Sequence, residues 1–301
     1  MSLQALLDDG DEVLIPAPDY PLWTAAVSLA GGRPVHYRCD EASGWQPDVE
    51  HLRAQVGPRT KAVVVINPNN PTGAVYGDEV LGRLLDVARE HDLVVLSDEI
   101  YEQILFDDAT HTATASLAPD LLCLTFNGLS KAYRLAGFRS GWMTVSGLPA
   151  TSGEARSLRR GPRHPRQHAA VPQRAGAARG GDGARRPARA GRACCCPADG
   201  CASSATPVSS LLREIPGVAC TTPQGALYLF PRLDPDVYDV QDDQALVLDL
   251  LREQHLLLVQ GTGFNWPEPD HLRIVTLPHV ETLRDAMGRL AEFLEGRRTR
   301  G

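Results

Sequence analysis

The chain has 301 residues, 43% hydrophobic and 22% charged, with a formal net charge of −7. Such a length suggests about two domains and can bury a sizeable core. No apolar run approaches the ~18 residues of a membrane span, the N-terminal MSLQALLDDGDE lacks the basic and apolar regions of a secretion signal, and the acidic balance argues against the whole surface being a nucleic-acid binder. A cytoplasmic chain with no membrane or nucleic-acid partner is therefore expected.

In chain order, residues 11–15 (DEVLI) predict a short strand bounded by PAP. Residues 20–30 are apolar at helical spacing and stop at Gly31-Gly32. A strand is predicted at 33–37 and a helix at 48–55. The continuous apolar run at 62–66 (AVVVI) is that of a strand buried on both faces. A helix follows at 77–91, then buried strands at 93–96 (LVVL) and 121–126 (LLCLTF). Alternation of helices with fully apolar strands predicts an α/β architecture with a mostly parallel sheet.

Residues 151–200 differ from the rest. They hold 11 Arg, no Lys and three acids, a net +8 that leaves −15 on the other 251 residues. Ala, Arg, Gly and Pro fill 35 of the 50 positions, and only Leu158 and Val171 are large aliphatics. So little apolar surface cannot offset the entropy of ordering. Four of the seven cysteines, at 194, 195, 196 and 201, match no common zinc or disulfide spacing, and no metal site is predicted. Beyond this stretch, 217–220 and 226–230 predict a hairpin around Pro223-Gln224-Gly225. A helix at 241–254, strands at 256–259 and 272–276, and a closing helix at 280–295 complete a small α+β piece. The expected organisation is a large domain at 1–147, an irregular segment at 148–208 and a small domain at 209–301.

In an open α/β sheet, ligands bind beyond the carboxyl ends of the strands. Three polar runs fall there: Asn67-Pro68-Asn69-Asn70-Pro71-Thr72-Gly73, Ser97-Asp98-Glu99-Ile100-Tyr101, and Asn127-Gly128-Leu129-Ser130-Lys131 followed by Arg139. Singly, each has a plainer reading: a rigid turn, a helix N-cap at Asp98, a solvated loop. Of the chain's two lysines, Lys61 precedes a strand and is expected in water, which leaves Lys131 for imine chemistry. Together the runs suit one cofactor. A partly desolvated lysine can hold an aldehyde, and a carboxylate can keep a pyridine nitrogen protonated. Donors can stabilise a ring oxyanion, and an arginine can hold a phosphate. That cofactor is pyridoxal 5′-phosphate.

PAPDYPLWTAAVSLAGG, NPNNPTGAVY, LSDEIYEQILFDDA, TFNGLSKAYRLAGFRSGWM and LLLVQGTGFNWPEPDHLRIVTLP resemble the fold-type I, class I/II aminotransferases, in particular their bacterial alanine (glutamate–pyruvate) branch, over about residues 1–147 and 209–297. The resemblance implies Lys131 as the catalytic, cofactor-bound lysine and Asp98 as partner of the pyridinium nitrogen. It also implies Asn70 and Tyr101 on the ring hydroxyl, Arg139 and Ser130 on the phosphate, Tyr20 stacked on the ring, and Arg273 on the substrate α-carboxylate. Without the family, Arg273 reads as a surface arginine at a strand end. Amino acid and 2-oxo acid substrates and a homodimer are implied as well. A carbon–sulfur lyase or decarboxylase on the same fold, or a non-catalytic cofactor-binding remnant, remains open at this stage. A nucleic-acid role for 151–200 is disfavoured by its lack of aromatics.

Two departures from the family stand out. The sequence begins where the family has the middle of a large-domain helix, beyond the N-terminal arm and a Gly-rich phosphate turn. Residues 148–208 replace an interdomain helix with text that reads like GC-rich coding sequence in the wrong frame; the other reading is a basic insertion. The expectation is that the chain as written is not a competent enzyme.

Overall fold

In the computed structural model, which describes residues 1–147 and 201–299, the N-terminal part is built on a seven-stranded sheet. Its strands are β1 (Glu12–Ala17), β2 (Arg33–Asp40), β3 (Gln46–Pro47), β4 (Thr60–Ile66), β5 (Val94–Asp98), β6 (Cys123–Gly128) and β7 (Gly141–Ser146), in the order β3-β2-β1-β4-β5-β6-β7. The inner pairings are parallel, and the edge pairings of β3 and β7 are antiparallel. Helices α1 (Ser2–Leu6), α2 (Leu22–Leu29), α3 (Val49–Ala54), α4 (Asp78–Glu90) and α5 (Thr114–Leu117) cover it.

Strand alternation divides the core between the two faces. Val13, Ile15, Ala62, Val64, Ile66 and Leu96 pack with Leu3, Trp23 and Val27. Leu14, Val63, Val65 and Val95 pack with Leu52, Leu81, Leu84 and Leu85 on the opposite face. At β1, β4 and β5 both faces are buried, which explains why these strands read as apolar runs. Helix α3 starts at Asp48, whose carboxylate accepts from the His51 N–H at 3.0 Å. The third buried strand, β6, starts two residues later than its apolar run suggested. Strand β7 had no sequence signal because most of it is exposed at the sheet edge.

The C-terminal part contains α6 (Cys201–Glu214), β8 (Val218–Ala219), β9 (Tyr228–Leu229), β10 (Arg232–Leu233), α7 (Asp243–Gln254), β11 (Val259–Gln260), β12 (Leu272–Val275) and α8 (Val280–Glu295). Val208, Leu212, Leu250, Leu290 and Phe293 belong to its core. Residues 148–200 of the expected irregular segment lie outside the described residues. Its last part, 201–208, is helical and therefore a correction: Val208 and Leu212, four apart, bury one helical face.

The expected hairpin is also corrected. Strand β8 pairs with β10, while β9 pairs with β12, which in turn pairs with β11. The chain between β8 and β9 is committed elsewhere, docked on the N-terminal part. The N–H groups of Gln224 and Gly225 donate to the Gly73 carbonyl at 2.8 and 2.9 Å, and Phe106 N donates to the Gln224 carbonyl at 2.8 Å. A Cβ on Gly73, whose φ is +74°, would lie 2.5 Å from Pro223 Cβ and 2.9 Å from the Tyr228 carbonyl oxygen. Gly73→Ala should therefore cost about 2–4 kcal/mol in denaturant unfolding, from left-handed strain plus overpacking. Gly77→Ala, with open space around it, should cost far less. Equal midpoints for the two variants would remove the seam from this account.

Candidate active site

The site is founded on three parallel strand ends in register. Ile66 lies opposite Asp98, and Asp98 opposite Phe126. The loops beyond them carry the polar residues, on the side where open α/β sheets bind ligands.

In NPNNPTG the asparagines divide the work. Asn67 Oδ1 accepts from Tyr76 N at 2.9 Å. Asn69 Oδ1 accepts from Thr72 Oγ1 at 2.8 Å, and Asn69 Nδ2 donates to the Tyr76 hydroxyl at 3.0 Å. These bonds fold the turn. Asn70, also buried, instead accepts through Oδ1 from Arg273 Nη1 of β12 at 3.2 Å. Its amide NH₂ is not used by that bond.

Asp98 ends β5 and is half-buried. Its Oδ2 accepts from Trp23 Nε1 at 3.1 Å and its Oδ1 from Ile100 N at 3.3 Å. Burial pushes its carboxyl above the usual range, and the two donors and the Lys131 ammonium act against that. A cationic ring nitrogen beside it would favour the carboxylate further. Lys131 is half-buried on the loop after β6, its Nζ 5.6 Å from the centre of the Tyr101 ring.

Arg273 crosses from the C-terminal part. Its guanidinium lies 4.7 Å from the Tyr228 ring centre and 4.5 Å from that of Phe264, and its buried Nε has no hydrogen-bond partner among the described residues. An aromatic slot around an under-satisfied guanidinium suits a planar carboxylate. Tyr101 Oη is 2.7 Å from Tyr228 Oη.

The structure thus brings together Asn70, Asp98, Tyr101, Lys131 and Arg273. Tyr20 is 41% exposed, just before α2. Ser130 is half-buried beside Lys131. Arg139 is less well engaged: it is exposed, and its Nη1 donates to the Ala136 carbonyl at 3.1 Å. At the ring end the donor set fits pyridoxal phosphate, with an acid, two neutral donors and a lysine around one cleft. Sequence reasoning missed Trp23 and Tyr228. Trp23 lies one helical turn beyond Tyr20, and Tyr228 is the one hydroxyl in the apolar run ALYLF.

A third missed residue is Asp19, next to Tyr20 in the chain. Buried Asp19 accepts from Asn265 Nδ2 at 2.6 Å and Thr24 Oγ1 at 3.2 Å, and its N–H donates to the Phe264 carbonyl at 2.9 Å. Burial raises its carboxyl to about 7, against the lowering effect of these donors.

Comparison with known proteins agrees with this geometry. The family model for aminotransferase class I and II matches residues 1–290. Alanine aminotransferase of Mycobacterium tuberculosis H37Rv is 54% identical over 301 residues, covering 98% of this chain and 68% of its own length. Glutamate-pyruvate aminotransferase AlaA of Escherichia coli K12 is 48% identical, covering 98% and 72%. Among solved structures, an Escherichia coli aminotransferase superposes with a TM-score of 0.85 at 46% identity, covering 99% of this chain and 73% of that one. An alanine aminotransferase from Pyrococcus furiosus gives 0.81 at 35% identity, covering 98% and 74%. The chain belongs to the class I and II aminotransferase family, has its α/β fold, and is a transaminase by descent. Among the described residues no helix is long and apolar enough to cross a membrane.

The Asp19 environment gives a pH prediction. Its folded-state pKa lies above the ordinary aspartate value of 3.8, so folded protein keeps a proton that unfolded chain releases between these values. This contribution to stability is complete at low pH and is lost as pH rises toward about 7. Asp19→Asn should flatten the fall in unfolding free energy between about pH 4 and 7 relative to the parent. Parallel curves for parent and variant would exclude Asp19 as the titrating group.

Proposed function

We propose that the active site of this chain is built to move the amino group of L-glutamate to pyruvate, giving 2-oxoglutarate and L-alanine, with pyridoxal 5′-phosphate as cofactor; the expectation that the chain as written is not a competent enzyme rests in part on residues 148–200, which lie outside the described residues. The convergence of Lys131, Asp98, Asn70, Tyr101 and Arg273 at one cleft carries this reading. The names of the relatives at 54% and 48% identity support the substrate pair. Bound there, the cofactor would supply an electrophilic aldehyde and a ring able to take up an electron pair.

In this reading Asp98 holds a proton on the ring nitrogen, and Trp23 fixes the carboxylate. Asn70 and Tyr101 donate to the ring hydroxyl. Arg273 clamps the α-carboxylate of the amino acid, orienting its Cα–H toward Lys131. Lys131 Nζ then takes the Cα proton and returns it on the way to the oxo acid, as general base and acid in turn. One site serves both half-reactions, so 2-oxoglutarate leaves before pyruvate enters. Tyr20 covers the ring face. Ser130 and Arg139 hold the phosphate, Arg139 by turning from the Ala136 carbonyl. The family resemblance adds a cytoplasmic homodimer, and the exposed Leu22, Phe138 and Trp142 are suited to such an interface.

Borohydride reduction of the cofactor-loaded protein, followed by peptide mapping, should place the pyridoxyl group on Lys131. Label on Lys61 would sink the assignment. In an active, frame-restored protein, Arg273→Ala should raise KM for glutamate on the order of 100-fold, as expected for loss of a buried ion pair, with the visible band of bound cofactor retained. An unchanged KM would move the carboxylate site elsewhere.

A further inference from the structure

We propose that Tyr228 is a positioning residue for the cofactor ring, acting through the hydroxyl of Tyr101. This rests on the reading of the cleft as a pyridoxal phosphate site and extends it to a residue outside the donor set.

The two phenols are buried, their oxygens 2.7 Å apart and their rings edge to face at 83°. Each hydroxyl has one proton, so only one can donate within the pair. If Tyr101 donated to Tyr228, it would face the cleft with lone pairs and repel a ring oxyanion. If Tyr228 donates, the Tyr101 proton is free to point into the cleft, and the incoming hydrogen bond polarises it into a stronger donor. The second arrangement is the one that serves an oxyanion. Charged groups near Tyr101 are Asp98, Lys131 and Arg273. Burial keeps the Tyr101 phenol protonated far above its usual range, so it remains a donor throughout the working pH range.

The arrangement has a counterpart on the other donor. Arg273 Nη1 donates to Asn70 Oδ1, which leaves the Asn70 NH₂ to donate onward. Tyr228 and Arg273 lie on paired strands, with Val275 opposite Tyr228 and Ile274 opposite Leu229. The C-terminal sheet therefore orients both ring-oxygen donors of the N-terminal part. Tyr228 also supplies the ring face under Arg273, at 4.7 Å. A phenylalanine would retain that packing and lose only the hydroxyl.

The test is a pH titration of the visible band of the protein loaded with pyridoxal 5′-phosphate. A donor at the ring oxygen favours the deprotonated chromophore and lowers its midpoint. Tyr101→Phe should raise the midpoint, and Tyr228→Phe should raise it by about half a unit, the worth of one neutral hydrogen bond. The double variant should shift no further than Tyr101→Phe alone, because Tyr228 acts only through Tyr101. A purely packing role for Tyr228 predicts no shift in Tyr228→Phe. If Tyr101→Phe moves the midpoint and Tyr228→Phe does not, or if the two shifts add, the proposal is overturned and the site reading stands. If no visible band forms, or Tyr101→Phe leaves it unmoved, the site reading fails and the proposal with it.

Discussion

At Gly73 two backbones meet with no side chain between them. The NPNNPTG turn lies against Pro223, Gly225 and the Tyr228 carbonyl, closer than any Cβ would allow. Two N–H groups of the crossing segment close on the Gly73 carbonyl. This contact sets how deeply the C-terminal sheet sits on the N-terminal one. Everything polar in the cleft depends on that depth, because Arg273 must reach Asn70 and Tyr228 must reach Tyr101 over hydrogen-bond distances. A shift of even about 1 Å at such a site can cost on the order of 100-fold in rate.

The cost of burying polar groups explains much of the local design. A buried amide or carboxylate without partners is destabilising by roughly 1–3 kcal/mol or more. Asn67 and Asn69 use their side chains to fold their own turn, and Glu99, next to Asp98, accepts from Ser97 Oγ and Thr114 N at 2.9 Å each. Neighbouring residues are left with capacity to spare. Asp98 has two single donors, and Arg273 retains a buried Nε with no hydrogen-bond partner among the described residues. In each run, structural residues satisfy themselves and adjacent ones remain available for a ligand.

Aromatic rings line the seam where the two parts meet. Tyr101, Ile104 and Phe106 from the N-terminal part pack with Ala226, Leu227 and Tyr228. Phe264 and Tyr228 flank the Arg273 guanidinium. Such rings exclude water from the charge while leaving its planar edge for a carboxylate. The same packing supports stability and substrate recognition, so the seam cannot loosen without affecting both.

Local periodicity made the sheet legible from the sequence. AVVVI and LVVL read as strands buried on both faces, and their ends placed the polar runs that contain Asn70, Asp98 and Tyr101, among which the family resemblance picked out these three. The scarcity of lysine singled out Lys131, and the motif resemblance supplied Arg273. Pairing across long sequence separations was not legible. Whether 226–230 folds back on 217–220 depends on what else competes for that segment, and here the Gly73 turn and β12 win. Helix α6 escaped because composition averaged over 151–200 says nothing of the apolar face that begins near Val208. Trp23 and Tyr228 were invisible as site residues for a related reason. Each looks like an ordinary core aromatic until the fold brings its one polar atom to Asp98 or Tyr101. The sequence determined which residues lie at the strand ends, since strand period and burial are local properties. Only the tertiary structure decided which donors orient them, since that requires contacts between residues more than 70 positions apart.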